Sequence, residues 1–369
     1  MTATDLFYEL LKISIGHGRC LSKSPSPDEW FQIYRIAEKH CLLGICFHGV
    51  ECLYAQNQTP PKKLLFKWIG QVELCKSLNL LANEKCTELQ EHLDAAGLVS
   101  CVLKGQAVAQ YYDQSLKDLR QCGDIDVWIK GGYCTVSKFV QQVCPTTEVA
   151  YHRFHFHIFP EIEVELHQHP SLMNNPYHNR ILQKWVDSFG KETFIKYDNM
   201  GFYAPPSVFD KVFLLCHLYR HFVAEGVGLR QLMDYYFVLK NSNISENLRA
   251  AKLIRRLGMK KFAGAVMWIM TYLFELHQEK FIVEPNEKEG RYLLNEIMQA
   301  GNFGFHDKRY VHSGRFSMQK QNIRHSAHLF FHYPSEVLWM PLWLIWHFFW
   351  KKIKIRQIKK IIVSSNERK

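Results

Sequence analysis

Two acidic residues one position apart, Asp124 and Asp126 in Gly123-Asp124-Ile125-Asp126, constrain this chain more than any other feature. In an extended segment residues i and i+2 share a face. The spacing therefore predicts both carboxylates on one side of a strand, with Ile125 and Val127 pointing into a core. Carboxylates about 6–7 Å apart on one face repel unless a cation lies between them. Mg²⁺ suits that place, because it is hard, takes oxygen ligands and bridges carboxylates to phosphates. Upstream, the apolar run Val102-Leu103 halts at Lys104-Gly105 and a small-residue helical pattern begins at Gln106. A strand that turns through glycine into a helix offers free N–H groups and the positive end of the helix dipole to a phosphate. Arg120, four residues before Asp124, is in reach of a β- or γ-phosphate; its other reading, shared with Lys104, is a local ion pair with Asp118 or a site acid.

The surrounding pattern predicts an α+β chain. At 369 residues and 47% hydrophobic it has material for a large core in two domains or subdomains. Residues 1–97 read as a helical region. Ser26-Pro27-Asp28-Glu29 is a capping box that starts a helix with Trp30, Ile33, Tyr34 and Ala37 on its buried stripe. A long helix from 62 to 96 stops at Gly97, with Leu64, Leu65, Trp68, Val72, Cys75 and Leu78 on one face. Residues 98–200 read as a core with strands at 98–103 and 124–129 and helices at 106–112 and 135–143. Residues 201–330 form a second helical domain, with helices at 206–223, 229–239, 245–258, 259–276 and 291–300, and a polar, mobile loop at 301–321. Residues 331–369 are an aromatic, then basic, tail.

Within the core, His152 to Phe159 and Ile162 to His167 alternate as two strands of a hairpin around Pro160-Glu161. Glu163 and Glu165 share a face of its second strand, so either can supply a third carboxylate beside Asp124 and Asp126. His157 and His167 flank the acids as candidates for substrate or phosphate contacts. His155, His157, His167 and His169 also invite a zinc reading, weakened by the lack of a cysteine at ligand spacing.

Net charge is +11, of which residues 351–369 carry +7. Such a tail is drawn to nucleic acid or anionic lipid, or is simply solvated. The aromatic run from Trp339 to Trp350 either lies on a membrane surface or docks on the body, and docking with solvated lysines is expected. No segment reaches the roughly 18 apolar residues of a membrane span. The scattered cysteines and the lack of a visible leader predict a cytoplasmic protein with free thiols.

The stretch Leu103-Lys104-Gly105, Tyr111-Tyr112, Leu119-Arg120 and Gly123 to Asp126 resembles a family of bacterial uncharacterised nucleotidyltransferases within the polymerase-beta-like superfamily. Glu165-Leu166-His167 matches an acidic-Leu-His signature of that family, which favours Glu165 over Glu163. His217-Leu218-Tyr219-Arg220-His221 followed by Leu229-Arg230 and Asp234 matches its His-rich helix, with Arg230 either binding substrate or paired within its helix to Asp234. The resemblance spans about 100–234. It implies a polymerase-beta-like core between helical regions, and an enzyme that moves an NMP from an NTP to a hydroxyl on a protein, RNA or small molecule. Asp124, Asp126 and Glu165 would be its catalytic and metal residues, holding Mg²⁺ or Mn²⁺. Lys104, Gly105, Gln106, Arg120 and Gly123 would bind the nucleotide phosphates, with Lys104 or Gln106 compensating for a hydroxyl the superfamily usually places after its glycine. The Glu in place of the more usual third Asp alters the metal geometry. Two alternatives stay open: an inactive nucleotide-binding sensor or adaptor, and a toxin-like enzyme that modifies transfer RNA through the basic tail.

Overall fold

A computed structural model describes residues 1–144, 149–197, 199–307, 309 and 327–366, with side chains up to Arg356 in the last of these. Four helices open the chain: α1 (Ala3–Ser14), α2 (Pro27–Lys39), α3 (Leu43–Cys52) and α4 (Lys62–Ala95). The expected capping box is formed, the Ser26 hydroxyl accepting from Glu29 N while the Glu29 carboxylate accepts from Ser26 N, and α2 buries Trp30, Ile33, Tyr34 and Ala37. Helix α3 is largely apolar, with only His48 and Glu51 marking a polar edge. It packs so tightly that a Cβ on Gly44 would stand 2.1 Å from the Leu119 carbonyl. On α4, Leu78 faces solvent, contrary to expectation, and the neighbouring Asn79 is buried instead. The Asn79 amide donates to the carbonyls of Asp118 (2.9 Å) and Arg120 (2.7 Å). It thereby fixes the loop ahead of the acidic strand.

The central part comprises β1 (Ser100–Leu103), α5 (Gly105–Val108), α6 (Gln114–Lys117), β2 (Ile125–Ile129), α7 (Gly132–Val143), β3 (Arg153–His155), β4 (Val164–His167), α8 (Pro176–Val186), β5 (Ile195–Lys196) and β6 (Tyr203–Ala204). The strands β1, β2, β4 and β3 lie side by side in that order. β1 is antiparallel to β2, β2 parallel to β4, and β3 antiparallel to β4. The expected hairpin is therefore present, but its strands are shorter than the alternation suggested, and β3 ends at His155. Side-chain alternation sorts the sheet. Ile125, Val127 and Ile129 pack with Phe154, Leu166 and the α7 residues Val136, Phe139 and Val140. The other face carries Asp126 and Trp128, and Trp128 stacks on Phe209 at 5.5 Å. Both faces of β2 are covered, so its one acid, Asp126, stands on no solvated surface.

The remaining helices are α9 (Ser207–Ala224), α10 (Leu229–Lys240), α11 (Ile244–Arg256), α12 (Lys260–Phe274), α13 (Glu287–Ala300), α14 (Pro334–Val337) and α15 (Met340–Asn366). Of the loop expected at 301–321, residues 308 and 310–321 lie outside the described residues; Asn302–Gly304 forms a single 3₁₀ turn. Among the described residues no helix is long and apolar enough to cross a membrane.

One ion pair locks these helices onto the sheet. The Arg120 guanidinium donates from Nε to Asp234 Oδ1 (2.6 Å) and from Nη2 to Oδ2 (2.8 Å). The Tyr112 hydroxyl donates to the same Oδ1 at 2.7 Å, and its ring stacks on Phe237 of α10. This replaces both pairings read from sequence. Asp234 is not bonded to Arg230 within its helix, and Arg120 is not held by Asp118. Arg230 instead donates to the Gln121 carbonyl at 2.8 Å. Because the pair is buried, removing one member strands a charge. Asp234→Asn is expected to destabilise the protein by about 3–5 kcal/mol, while the double change Arg120→Met with Asp234→Leu costs less than the sum of its parts. Urea unfolding of the two single variants and the double variant checks this.

Candidate active site

The site forms where β1 turns into α5 beside the first residues of β2 and β4. Lys104 and Gly105 make that turn with φ of +30° and +49°. Such values suit glycine and strain lysine. A Cβ on Gly105 would meet nothing nearer than the Asp124 carbonyl at 3.9 Å, so the backbone is open to an incoming group. Beside this turn the parallel register pairs Asp126 with Glu165. Because β2 and β4 point the same way, one face of each carries its acid, and His167 follows Glu165 on that face. Asp126, Glu165 and His167 are all buried, and one donor atom from each lies within 4.8 Å of the others.

Charges from the chain hold these acids ionised. The Lys104 ammonium is 2.8 Å from Asp126 Oδ2, and His167 Nε2 is 2.7 Å from Oδ1. The Arg153 guanidinium donates to Glu165 at 2.6 Å, and His167 Nε2 lies 3.5 Å from the same carboxylate. Burial pushes the Asp126 carboxyl up, but Lys104 and His167 outweigh it and hold it below its ordinary value. Glu165 is likewise pushed up by burial, yet His167 and Arg153 bring it down to about 2. Burial opposes charge on His167, while its bonds to Asp126 and Glu165 raise its pKa above the usual 6.5.

A narrow cleft reaches the Lys104 and Asp126 edge of this cluster. Its walls include Lys104, Gly105, Asp124, Asp126, Arg230 and Phe303, and about 30 Å³ of it is open to water, room for a couple of molecules. Phe303, like Lys104, is a non-glycine residue at positive φ, +50°. Two cations present unused donors here. Arg120 Nη1 and Arg230 Nε are buried without a hydrogen-bond partner, and both residues line the cleft with Gly123 and His217.

The residues singled out from sequence separate into those the structure gathers and those it does not. Asp126, Glu165 and His167 form one cluster with Lys104. Asp124 is exposed at the cleft wall, outside the close group, though its charge acts on Lys104 and Glu165. His167 takes the third place expected of Asp124. Glu163 is exposed, and its carbonyl accepts from Ile125 N. Gln106 does not face the phosphate turn. It is buried and donates to Asn83 Oδ1 at 2.9 Å on α4. His157 lies beyond the end of β3 and is exposed, so it does not flank the acids. His169 bonds Gln183 at 3.0 Å. The four-histidine zinc arrangement is thus not assembled.

Arg153 and Arg220 escaped the sequence reading. Arg153 stands two residues before His155 on the same face of β3, paired in register with His167, so strand alternation places it beside Glu165 and His167. Arg220 touches two imidazoles, His152 Nε2 at 3.4 Å and His221 Nε2 at 3.3 Å. Burial lowers its pKa to about 10. The partners of Arg220 come from separate elements, and no local pattern marks them.

The donor set tests well for a divalent ion. Two carboxylates and one imidazole suit Mg²⁺ less than Mn²⁺, which accepts nitrogen more readily, and His167 Nε2 is the nitrogen that faces both carboxylates. A metal bound through His167 displaces its proton. The raised pKa keeps that proton in place past pH 6.5. Mn²⁺ affinity is therefore expected to climb as pH rises above that value, and His167→Gln to flatten the climb, as read by electron paramagnetic resonance titration.

No curated protein and no solved structure matches the chain. A family model described as uncharacterised nucleotidyltransferase matches residues 26–275, reaching well beyond the 100–234 span of the motifs into the helices on either side. The match covers most of the chain, which therefore belongs to the uncharacterised nucleotidyltransferase family.

Proposed function

We propose that the protein moves an NMP from an NTP to a hydroxyl acceptor and releases pyrophosphate, with a site of the polymerase-beta-like kind. One observation carries this reading: carboxylates of Asp126 and Glu165 meet across parallel strands beside a glycine turn open to a cleft. Asp126, Glu165 and His167 are the residues to hold Mg²⁺ or Mn²⁺, with Asp124 at the rim. When bound, the divalent ion offsets triphosphate charge and acidifies the acceptor hydroxyl. The chain supplies the rest. Gly105 lets the backbone approach a phosphate without a Cβ in the way. Lys104 and the unpartnered nitrogens of Arg120 and Arg230 give the cleft a cationic wall for the β- and γ-phosphates. The acceptor oxygen bonds to the α-phosphorus as the bond to pyrophosphate breaks. Glu165, held at about pKa 2, is a poor base and serves as a ligand. Asp124, exposed at the cleft, is better placed to take the proton. The cleft is too small for a whole nucleotide as it stands, so the wall carrying Phe303 must part from the sheet to admit one.

A second reading draws on the Lys104–Asp126 pair. An ammonium already seated on that carboxylate suits a chain that binds nucleotide without turning it over. One set of measurements separates the two. With an NTP labelled at the α-phosphate, the intact chain should label an acceptor in the presence of Mg²⁺ or Mn²⁺. Asp126→Asn and Glu165→Gln should each lower transfer by about two orders of magnitude or more, the scale of several kcal/mol of charge stabilisation. Transfer that survives both changes sinks the enzyme. Metal-independent NTP binding by the intact chain with no pyrophosphate release from any acceptor establishes the sensor.

A further inference from the structure

The last helix presents the wrong chemistry to solvent. One side of α15 docks on the body. Met340 is buried, His347 Nε2 accepts from Tyr151 N at 3.3 Å, Trp350 packs edge-on against Tyr133 and Tyr151, and the Lys354 ammonium lies 4.4 Å from the Tyr133 ring. The opposite side carries Leu342, Ile345, Phe349 and Ile353, spaced three, four and four residues apart along one helical stripe. Each is more than half exposed, and Trp346 and Phe348 flank them at 46% and 51%. An apolar stripe of this extent, left open on a folded surface, marks a surface that meets something.

Charge identifies what it meets. Lys352 and Arg356 are exposed beside the end of the stripe, and no Asp or Glu stands between Glu336 and Glu367. Two copies of this helix laid together would bring cations against cations with no acid on either helix to offset them. Nucleic acid would satisfy the cations but leave the aliphatic and aromatic groups uncovered. A bilayer surface with anionic headgroups satisfies both, the apolar side chains entering the acyl boundary and the cations resting at headgroup level. We propose that α15 lies flat on an anionic lipid surface and holds the protein there as a peripheral membrane protein. The proposal does not depend on the transferase reading, because it uses none of the cleft residues.

The test uses the full chain and sonicated vesicles of phosphatidylcholine, alone or mixed with phosphatidylserine. Co-sedimentation is expected with the mixed vesicles and is expected to be much weaker with the neutral ones. Each basic residue near an anionic surface strengthens attachment about fivefold, so Lys352→Gln with Arg356→Gln should weaken it at least about tenfold. Phe349→Ser with Ile353→Ser should weaken it by at least as much, since two buried apolar side chains are removed from the acyl boundary. Bromine-labelled acyl chains should quench tryptophan fluorescence in the intact chain. Because the substituted side chains are exposed, thermal unfolding midpoints should stay unchanged, which separates lost attachment from lost folding. Failure to sediment with mixed vesicles overturns the proposal. So does attachment indifferent to the Phe349 and Ile353 changes and competed away by duplex RNA, which would make the tail a nucleic-acid surface. A dimer in light scattering that those same two changes dissolve would make the stripe a contact between copies, and overturns it as well.

Discussion

Asp126 and Glu165 stand side by side out of water, and three cationic side chains bonded to them keep them there. An isolated buried carboxylate costs several kcal/mol even after relaxation. Lys104 comes from the strand before, Arg153 from the strand beyond, and His167 from the same strand as Glu165. The register between β2 and β4 is what makes this work. A slip of one residue in either strand would turn that strand's acid toward Phe139, Val140 and Phe154 and strand it in apolar surroundings. The strands are short, four and five residues, so the ion pairs specify the alignment as much as the backbone ladder does.

The helical parts of the chain are not a passive wrapping for this sheet. Asn79 on α4 holds the carbonyls around Arg120, Asp234 on α10 holds its guanidinium, and Arg230 holds the Gln121 carbonyl. Three residues from two helical regions thus set the segment that leads into Asp124 and Asp126. This explains in physical terms why the family match extends from residue 26 to residue 275. Elements far from the acids in sequence carry part of their positioning.

Local signals were legible in the sequence and long-range ones were not. The Ser26 capping box, the α2 stripe, the Gly97 stop and the alternating strand that ends at His167 all follow from spacing within a few residues. Glu165 could be chosen over Glu163 only through the family signature, and burial accounts for the distinction: Glu165 is 4% exposed while Glu163 is on the surface. The exchange of Asp124 for His167 in the inner cluster could not be read from alternation, since β2 begins at Ile125 and leaves Asp124 at the strand's mouth. Gln106 pointed the wrong way for the same kind of reason. The turn at Gly105 rotates it onto α4, and a turn's twist is not encoded in hydrophobic period. Arg120 and Asp234 are 114 positions apart, so each looked nearer to a false partner than to its true one. The terminal helix was expected to hide its aromatics, and only some of them dock.

The Arg120–Asp234 bond has a consequence for how this chain is inherited. The sequence pattern sets a boundary near residue 200 between the central part and the second helical region. Yet a fragment ending at that point would keep a guanidinium shaped for a missing acid, and the other would keep a carboxylate without the Arg120 guanidinium and the Tyr112 hydroxyl that satisfy it. Neither half is a self-sufficient module, and recombination that swapped one without the other would be punished at this single contact. The two regions are expected to travel through evolution as one unit, whatever their outer loops and tails do.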